Sequence, residues 1–387
     1  MLQLKEVKGN MIAGPAIQTF DFFIQWHLTE RCNLRCRHCY QGAGLPPEMP
    51  GDEVLREIDG AAEMFRAWET EQGVRVNPSI HFTGGEPLLY PAFHDVVRYA
   101  RELGIGVAVM TNGCRVTDDD ARRMRDAGVF DIQVSLEGPE ALHDEIRGKG
   151  SFRAALRGAQ VLARTGNRVS ANVTLSRLNA SRIGETAAIA RESGFSSIGF
   201  SRLVPCGRGK SLFRDLLSAA ELRNAYEEVR SLNGPGFPVV SGDPLAATLR
   251  LDAPGPDCGL TLSGCSAGFS GVTVASDGAV MPCRRIGIPV GNLKEKSLRQ
   301  IWATSKTLWR LRDRTSYRGR CGACKWWPSC RGCRAVAYAC SRARGHADLF
   351  ADDPQCWRID EGGKGKHHGR KRGLPLLRPG GFPYPIC

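Results

Sequence analysis

A chain of 387 residues, 42% hydrophobic and 24% charged, reads as soluble and globular, with length for one large core and a smaller appendage and no apolar run that approaches a bilayer span. Its net charge of +13, from 53 Lys and Arg against 40 Asp and Glu, suits acidic partners such as an acidic electron carrier, an acidic peptide or nucleic acid, and suits a solvated basic face equally well. No basic segment followed by a long apolar one opens the chain, so a cytoplasmic location without a secretory signal is expected; in that reducing compartment 15 cysteines argue for metal and against disulfides.

After an N-terminal extension (1–19), short apolar runs alternate with longer amphipathic stretches over residues 20–210. Strands are predicted at Phe22–Leu28, Ser79–Phe82, Gly106–Met110, Asp131–Leu136, Ser170–Leu175 and Ser197–Leu203. Helices are predicted between them at Gly51–Trp68, Pro91–Leu103, Asp118–Ala127, Phe152–Thr165 and Ser181–Ser193. Six such repeats imply parallel strands with right-handed helical crossovers, hence an α/β fold of the partial (β/α)6 TIM-barrel type; the pattern alone leaves a doubly wound sheet open. A helix at Ser218–Ser231 and a Gly/Pro-rich stretch make residues 211–256 a linker. Residues 257–360 are cysteine-rich and poor in apolar periodicity, as in small modules stapled by metal. The tail, 361–387, is basic and rich in Gly and Pro, and reads as disordered.

The unusual residues fall where the strands end. Cys32, Cys36 and Cys39 follow the first strand, "TGGEP" (83–87) the second and "TNG" (111–113) the third; "SLEGP" (135–139) ends the fourth and "RLVPCGRG" (202–209) the sixth. A (β/α) barrel builds its active site on that rim. Three thiolates suit zinc or an iron–sulfur cluster. A structural zinc site needs a fourth protein ligand, and His38 abuts Cys39 too closely to close the same shell. A cubic cluster on three cysteines leaves one iron free for a ligand.

The stretch "CNLRCRHC", a C-x3-C-x-φ-C pattern with His38 as the aromatic φ, together with "TGGEP" and the six β–α units, resembles the radical S-adenosylmethionine superfamily over roughly residues 20–210. The resemblance implies a [4Fe–4S] cluster on Cys32, Cys36 and Cys39. It implies S-adenosylmethionine bound at the open iron, with Gly84, Gly85 and Glu86 at its methionine amino group and Ser135 at its ribose. Asn112 and Arg147 are further candidates for cofactor contact.

The later cysteines resemble the SPASM extension of that superfamily: Cys265 and Cys283 with Gly278 between them, then Cys321, Cys324 and Cys330, and Cys356 last. "CRGC" places Cys333 after two residues where the pattern has three, so Cys340 stands as its alternate. The resemblance implies two auxiliary [4Fe–4S] clusters, one on Cys258, Cys265, Cys283 and Cys333 and the other on Cys321, Cys324, Cys330 and Cys356, which makes three in all. Zinc knots are the competing reading of the same spacings.

SPASM relatives mostly modify peptides or proteins, and a minority act on tetrapyrroles. The expectation is therefore a peptide or protein substrate, with haem or haem d1 assembly as the alternative. Only about twenty residues precede the first strand, too few for a recognition domain. A peptide is then expected to need a separate recognition protein or to dock on the rim directly. An acidic electron donor of the ferredoxin or flavodoxin type is expected, and no membrane partner. A zinc-stapled nucleic-acid binder is the reading from a different class.

Overall fold

The computed structural model describes residues 19–42, 44–249 and 264–358. Seven strands run in chain order across one sheet: β1 (Thr19–Thr29), β2 (Arg75–Gly84), β3 (Gly106–Thr111), β4 (Asp131–Ser135), β5 (Val169–Leu175), β6 (Ser197–Arg202) and β7 (Val239–Val240). Each pairs in parallel with the next. A doubly wound sheet reverses its strand order partway; β1 to β7 do not, as in a barrel wound in one direction.

The crossovers are α1 (Gly51–Gln72), α2 (Phe93–Glu102), α3 (Asp118–Asp126), α4 (Glu140–Arg147) with α5 (Ser151–Arg164), α6 (Ile183–Glu192) and α7 (Ala219–Leu232). Two of them start on capping boxes: Thr117 with Asp120, and Ser218 with Glu221, each side chain satisfying the other's free backbone amide. The core lies between strands and helices. Ile24, Ile80, Val107, Val109, Ile132 and Val134 are fully buried on the strands, and Ile58, Val96, Ala121 and Leu162 answer from the helices. Along β1 and β4 fully buried positions alternate with more open ones, so one face of the sheet carries this core.

The cysteine-rich part does not stand apart from this sheet. Its first strand, β8 (Gly271–Val274), pairs in parallel with the outer edge of β1, Phe23 opposite Gly271. β9 (Ala279–Met281) and β10 (Gly291–Asn292) extend that edge antiparallel. Short helices follow: α8 (Pro244–Ala247) before β8, then α9 (Leu298–Thr304), α10 (Lys306–Arg312), α11 (Gly319–Ala323) and α12 (Arg334–Ala343). At the other edge, Arg202 at the end of β6 reaches the 353–355 segment. The cysteine-rich part therefore touches both edges of the open barrel. Among the described residues no helix is long and apolar enough to cross a membrane.

Candidate active site

The loop that carries Cys32, Cys36 and Cys39 leaves the end of β1 and is held from two sides. From β2, the Gly85 amide donates to Thr29 O at 2.7 Å and the Glu86 amide to Arg31 O at 2.8 Å. This contact is backbone on backbone: a Cβ at Gly84 (φ +139°) would lie 2.1 Å from Thr29 O, and one at Gly85 2.1 Å from Arg31 O. The two glycines of "TGGEP" thus serve the loop's own close approach. From β6, the segment 206–209 lies across the loop. Gly209 N donates to Cys39 O and Arg208 N to Gln41 O, both at 3.0 Å, and Arg208 Nε to Cys36 O at 3.3 Å. A Cβ at Gly207 would sit 2.1 Å from Tyr40 O, so this second clamp also needs glycine.

Each thiol has at least one nitrogen donor aimed at it. Leu34 N lies 3.4 Å from Cys32 Sγ, Gln41 N 3.4 Å from Cys39 Sγ, and Arg147 Nη1 3.8 Å from Cys36 Sγ. Burial pushes the Cys32 thiol up to about 11 and raises Cys36 as well. Such thiols ionise only when a metal or a guanidinium compensates the charge.

Two fully buried carboxylates organise the rim. Glu137 takes Arg147 Nε at 2.9 Å and Nη2 at 2.6 Å, His38 Nε2 at 3.0 Å and the Thr174 amide at 2.9 Å. Burial pushes its carboxyl up, but His38 and Arg147 outweigh that and hold it at about 2. Glu86 accepts from Thr111 Oγ1 at 2.7 Å and from the Asn112 amide at 2.8 Å, tying the end of β2 to that of β3. With no cation in direct contact, burial dominates and its carboxyl rises to about 7. Asn112 turns its side-chain amide to Asn33 Oδ1 at 2.9 Å, with Cys32 Sγ at 3.9 Å. Ser135 ends β4 half-buried. His38 is held by Glu137 through Nε2, while its Nδ1 is buried without a hydrogen-bond partner. Gly84, Gly85, Glu86, Asn112, Arg147 and His38 thus gather around the three thiols.

The later cysteines sort into two neighbourhoods. Cys356 feels the charges of Cys321 and Cys324, and Cys330 that of Cys356. Cys333 feels Cys265, while Arg285 lies within electrostatic reach of both Cys283 and Cys333. Cys258 falls outside the described residues. Cys340 is buried on α12, and its strongest charged neighbours are Asp353, Arg344 and Arg202, with no cysteine among them. The shortened "CRGC" turn closes because Arg331 and Gly332 both take left-handed conformations, each at φ +62°.

Residues that sequence spacing did not single out hold these parts together. Asp353 accepts the Cys333 amide at 2.8 Å and Arg202 at 2.6 and 3.0 Å, and Arg202 also donates to Asp243 at 2.7 Å. Arg284, next to Cys283, stacks on the ring of Tyr40, next to Cys39, and lies 3.2 Å from His27 Nε2. Cys206 sits in the same gap, within electrostatic reach of Cys283 and Cys39, and Cys114 lies by Cys32 and Cys36. The only signal for Glu137 was its place in "SLEGP"; Arg284 and Asp353 gave none beyond lying beside or near cysteines. Among the described residues, no three Cys, His, Asp or Glu side chains converge closely enough to hold a single metal ion. The rim set of three soft thiolates, each with an N–H donor, is a donor set that fits an iron–sulfur cluster.

The fold defines the class first: an α/β barrel enzyme with its chemistry-bearing loops gathered at the C-terminal ends of the strands. Residues 26–190 match the Radical SAM superfamily, and residues 265–334 match SPASM, an iron–sulfur cluster-binding domain. The AdoMet-dependent heme synthase of Methanosarcina barkeri is 30% identical over 351 residues, 86% of this chain and 95% of that protein. The mycofactocin maturase MftC of Mycobacterium tuberculosis is 32% identical over 342 residues, 86% of this chain and 82% of that protein. Streptococcus suis SuiB bound to S-adenosylmethionine shares the fold, with a TM-score of 0.69 at 18% identity over 88% of this chain and 78% of that one. The chain belongs to the radical SAM superfamily and is a radical SAM enzyme with a C-terminal SPASM domain.

Proposed function

We propose that this enzyme binds S-adenosylmethionine at a [4Fe–4S] cluster on Cys32, Cys36 and Cys39 and modifies a peptide or protein substrate. When bound, the cluster and cofactor together supply an electron and a 5′-deoxyadenosyl radical that abstracts hydrogen. The protein's part is placement. The carbonyls and amides of 29–31 and 84–86 fix the loop, Asn112 and Arg147 present N–H groups to two of the sulfurs, and Glu137 orients Arg147 and His38. The orphaned Nδ1 of His38 is free to meet a polar atom of the cofactor. Ser135, one strand over, offers a hydroxyl to the ribose. The observation that carries the reading is three thiols on one strand-end loop, each with an N–H donor at its sulfur and, among the described residues, no set of side chains closing round a single metal ion.

Two auxiliary clusters are proposed, on Cys265, Cys283 and Cys333 with Cys258, and on Cys321, Cys324, Cys330 and Cys356. The two neighbourhoods described above support that division. The peptide reading is supported by the MftC relative, and a separate recognition protein belongs to the same proposal. The heme synthase relative, matched over nearly its whole length, supports a second reading in which the substrate is a tetrapyrrole. The anaerobically reconstituted protein is expected to hold about twelve irons per chain and to make 5′-deoxyadenosine with dithionite. A Cys32→Ala/Cys36→Ala/Cys39→Ala variant should keep about eight irons and make none. Stoichiometric zinc in place of iron, or undiminished cleavage in that variant, would refute the assignment.

A further inference from the structure

Soon after β9 the chain makes a β-turn, closed by Ile286 N donating to Cys283 O at 3.0 Å, and its two corner residues are Arg284 and Arg285. The turn faces the rim. Arg284 lies over Tyr40 of the rim loop, and Arg285 is within electrostatic reach of Cys206, in the segment after β6, and of Cys333. Both arginine side chains are half-buried. Two adjacent guanidiniums thus stand where the rim loop, the segment after β6 and the cysteine-rich part come together.

Their donors are largely unspent. His27 Nδ1 donates to Glu30 Oε1 at 3.2 Å, which leaves its Nε2 to accept Arg284 Nη1 at 3.2 Å. Among the described residues that is the one hydrogen bond of the Arg284 side chain, and the Arg285 side chain forms neither a hydrogen bond nor an ion pair. A guanidinium carries five N–H donors in a planar fork, and one drawn out of water normally finds acceptors for them. Other arginines nearby do so. Arg202 is bound by Asp243 and Asp353, Arg331 by the Pro328 and Cys265 carbonyls, and Arg334 sets Nη2 3.6 Å from Cys321 Sγ. At the rim Arg147 sets Nη1 3.8 Å from Cys36 Sγ. Arg284 and Arg285 directly follow Cys283, yet among the described residues neither gives an N–H to a sulfur.

The carboxylates within reach are already engaged. Glu30 also accepts Gln41 Nε2 at 2.6 Å, and Asp243 accepts Arg202 at 2.7 Å and the Leu245 amide at 2.8 Å. The Tyr40 hydroxyl donates to Gly84 O, and its ring face is what Arg284 covers. Stacking leaves the edge of a guanidinium, where its N–H groups lie, open to an acceptor. On the barrel strands the half-buried positions Gln25, Gln133, Asn172 and Ser201 are neutral, and Arg147 is held by Glu137. An anionic group on a substrate brought to the rim therefore meets its complement at this turn. Planar forks on adjacent residues suit a carboxylate, which accepts two parallel N–H bonds from one guanidinium.

We propose that Arg284 and Arg285 form a carboxylate-binding site that anchors the substrate beside the rim thiols. This rests on the reading that hydrogen is abstracted at that rim. The site acts through charge-assisted hydrogen bonds, with no covalent step. A peptide brings such a group as its C-terminus or an acidic side chain, and a tetrapyrrole brings it as a propionate; the arms of the test separate the two.

The full-length reconstituted holoenzyme with bound S-adenosylmethionine is treated with phenylglyoxal, which modifies accessible guanidiniums. Labelling of Arg285 and of the exposed Arg344 is followed by peptide mass spectrometry. The probes are the tripeptide Gly-Gly-Phe and its C-terminal amide, and iron coproporphyrin III and its tetraamide. Labelling of Arg285 should slow at least about threefold with one of the two acids and not with its amide, while Arg344 labels at one rate throughout. The acid that protects identifies the source of the carboxylate. Binding of that acid, measured by calorimetry, should weaken about tenfold or more in Arg284→Gln/Arg285→Gln at full iron content. In Arg284→Lys/Arg285→Lys, which keeps the charge and loses the fork, it should weaken only about threefold. Equal labelling with acid and amide, or an Arg285 that resists labelling without any probe, would overturn the proposal. So would a Gln variant that loses iron but not affinity, which would make the pair a brace of the cysteine site. A wild type that makes no 5′-deoxyadenosine with dithionite sinks the rim reading instead, and that is seen without any probe.

Discussion

The barrel rim and the cysteine-rich part hold their thiols by different means. Cys32–Cys39 hangs from β1 and is pinned by β2 and β6, whose side chains pack in a buried apolar core. The segments around Cys265 and Cys321–Cys356 have little sheet to hang from. Their interior is threaded with arginines instead. Arg331 donates to Pro328 O at 2.6 Å and to Cys265 O at 3.0 Å, Arg334 to Ala351 O at 2.8 Å, and Arg314 to Gly322 O at 2.8 Å and Cys324 O at 3.1 Å. Arg331 also stacks 4.0 Å over Phe269, and Arg358 4.2 Å over Trp326. A guanidinium has five donors in a rigid fork, so one side chain can bind several stretches of irregular backbone. Where no ladder satisfies the carbonyls, arginine does, and the cost of burying its charge is met by those carbonyls and by the ring faces.

Metal removal should separate the two regions most sharply. With iron chelated, amides of 264–358 are expected to lose hydrogen-exchange protection while β2 to β5 keep theirs, because bound metal contributes on the order of 10 kcal/mol to small metal-stapled domains. Uniform loss, or none, would dissolve the contrast. Next in size is Asp353→Ala, which leaves Arg202 and the Cys333 amide short of a partner in a fully buried setting. It should cost about 3–5 kcal/mol by urea denaturation, whereas trimming the barrel core at Ile132→Val should cost about 1. Equal costs would mean that the braces are dispensable.

The rim carboxylates come third and titrate in opposite directions. Glu137, held at about 2 against an ordinary 4.5, contributes about 3 kcal/mol that is present above pH 4.5 and lost as pH falls towards 2. Glu137→Gln should remove that acid limb from urea midpoints measured against pH. Glu86, raised to about 7, does the reverse: its ionisation weakens the fold as pH climbs from 4.5 to 7, and Glu86→Gln should flatten that interval. The smallest effect has the opposite sign. Ala347 sits at φ +45°, and Ala347→Gly should stabilise by about 0.5–1 kcal/mol in the same assay.

The six barrel strands could be read from their short apolar runs, in which at least every second residue is buried. β2 starts at Arg75, earlier than the run at Ser79 suggests: Pro78 argues against a strand, but it pairs opposite Phe22. β7 to β10 are two to four residues long, too short to show alternation. Helix α4 was hidden for a similar reason, with eight residues between Pro139 and Gly148. Cysteines announce themselves by spacing, so the rim loop was legible. Glu137 and Asp353 were not, because a lone carboxylate has no period; only the fold brings Asp353 to Arg202, 151 positions away. Tyr40 and Arg284 meet in the same way.

The pairing of β1 with β8 has a bearing on how the chain is made. Once β1 has left the ribosome it waits for Gly271 before its outer edge is covered, on the order of 10–50 s at ordinary elongation rates. Through that interval Phe23 to Trp26 offer unpaired N–H and C=O groups beside buried-type side chains, the template on which strands of neighbouring chains add. Cutting the chain before β8 makes the interval permanent. Residues up to 249 are therefore a fragment with a sticky edge, prone to aggregate, and the cysteine-rich part is the stopper that keeps a nascent barrel single.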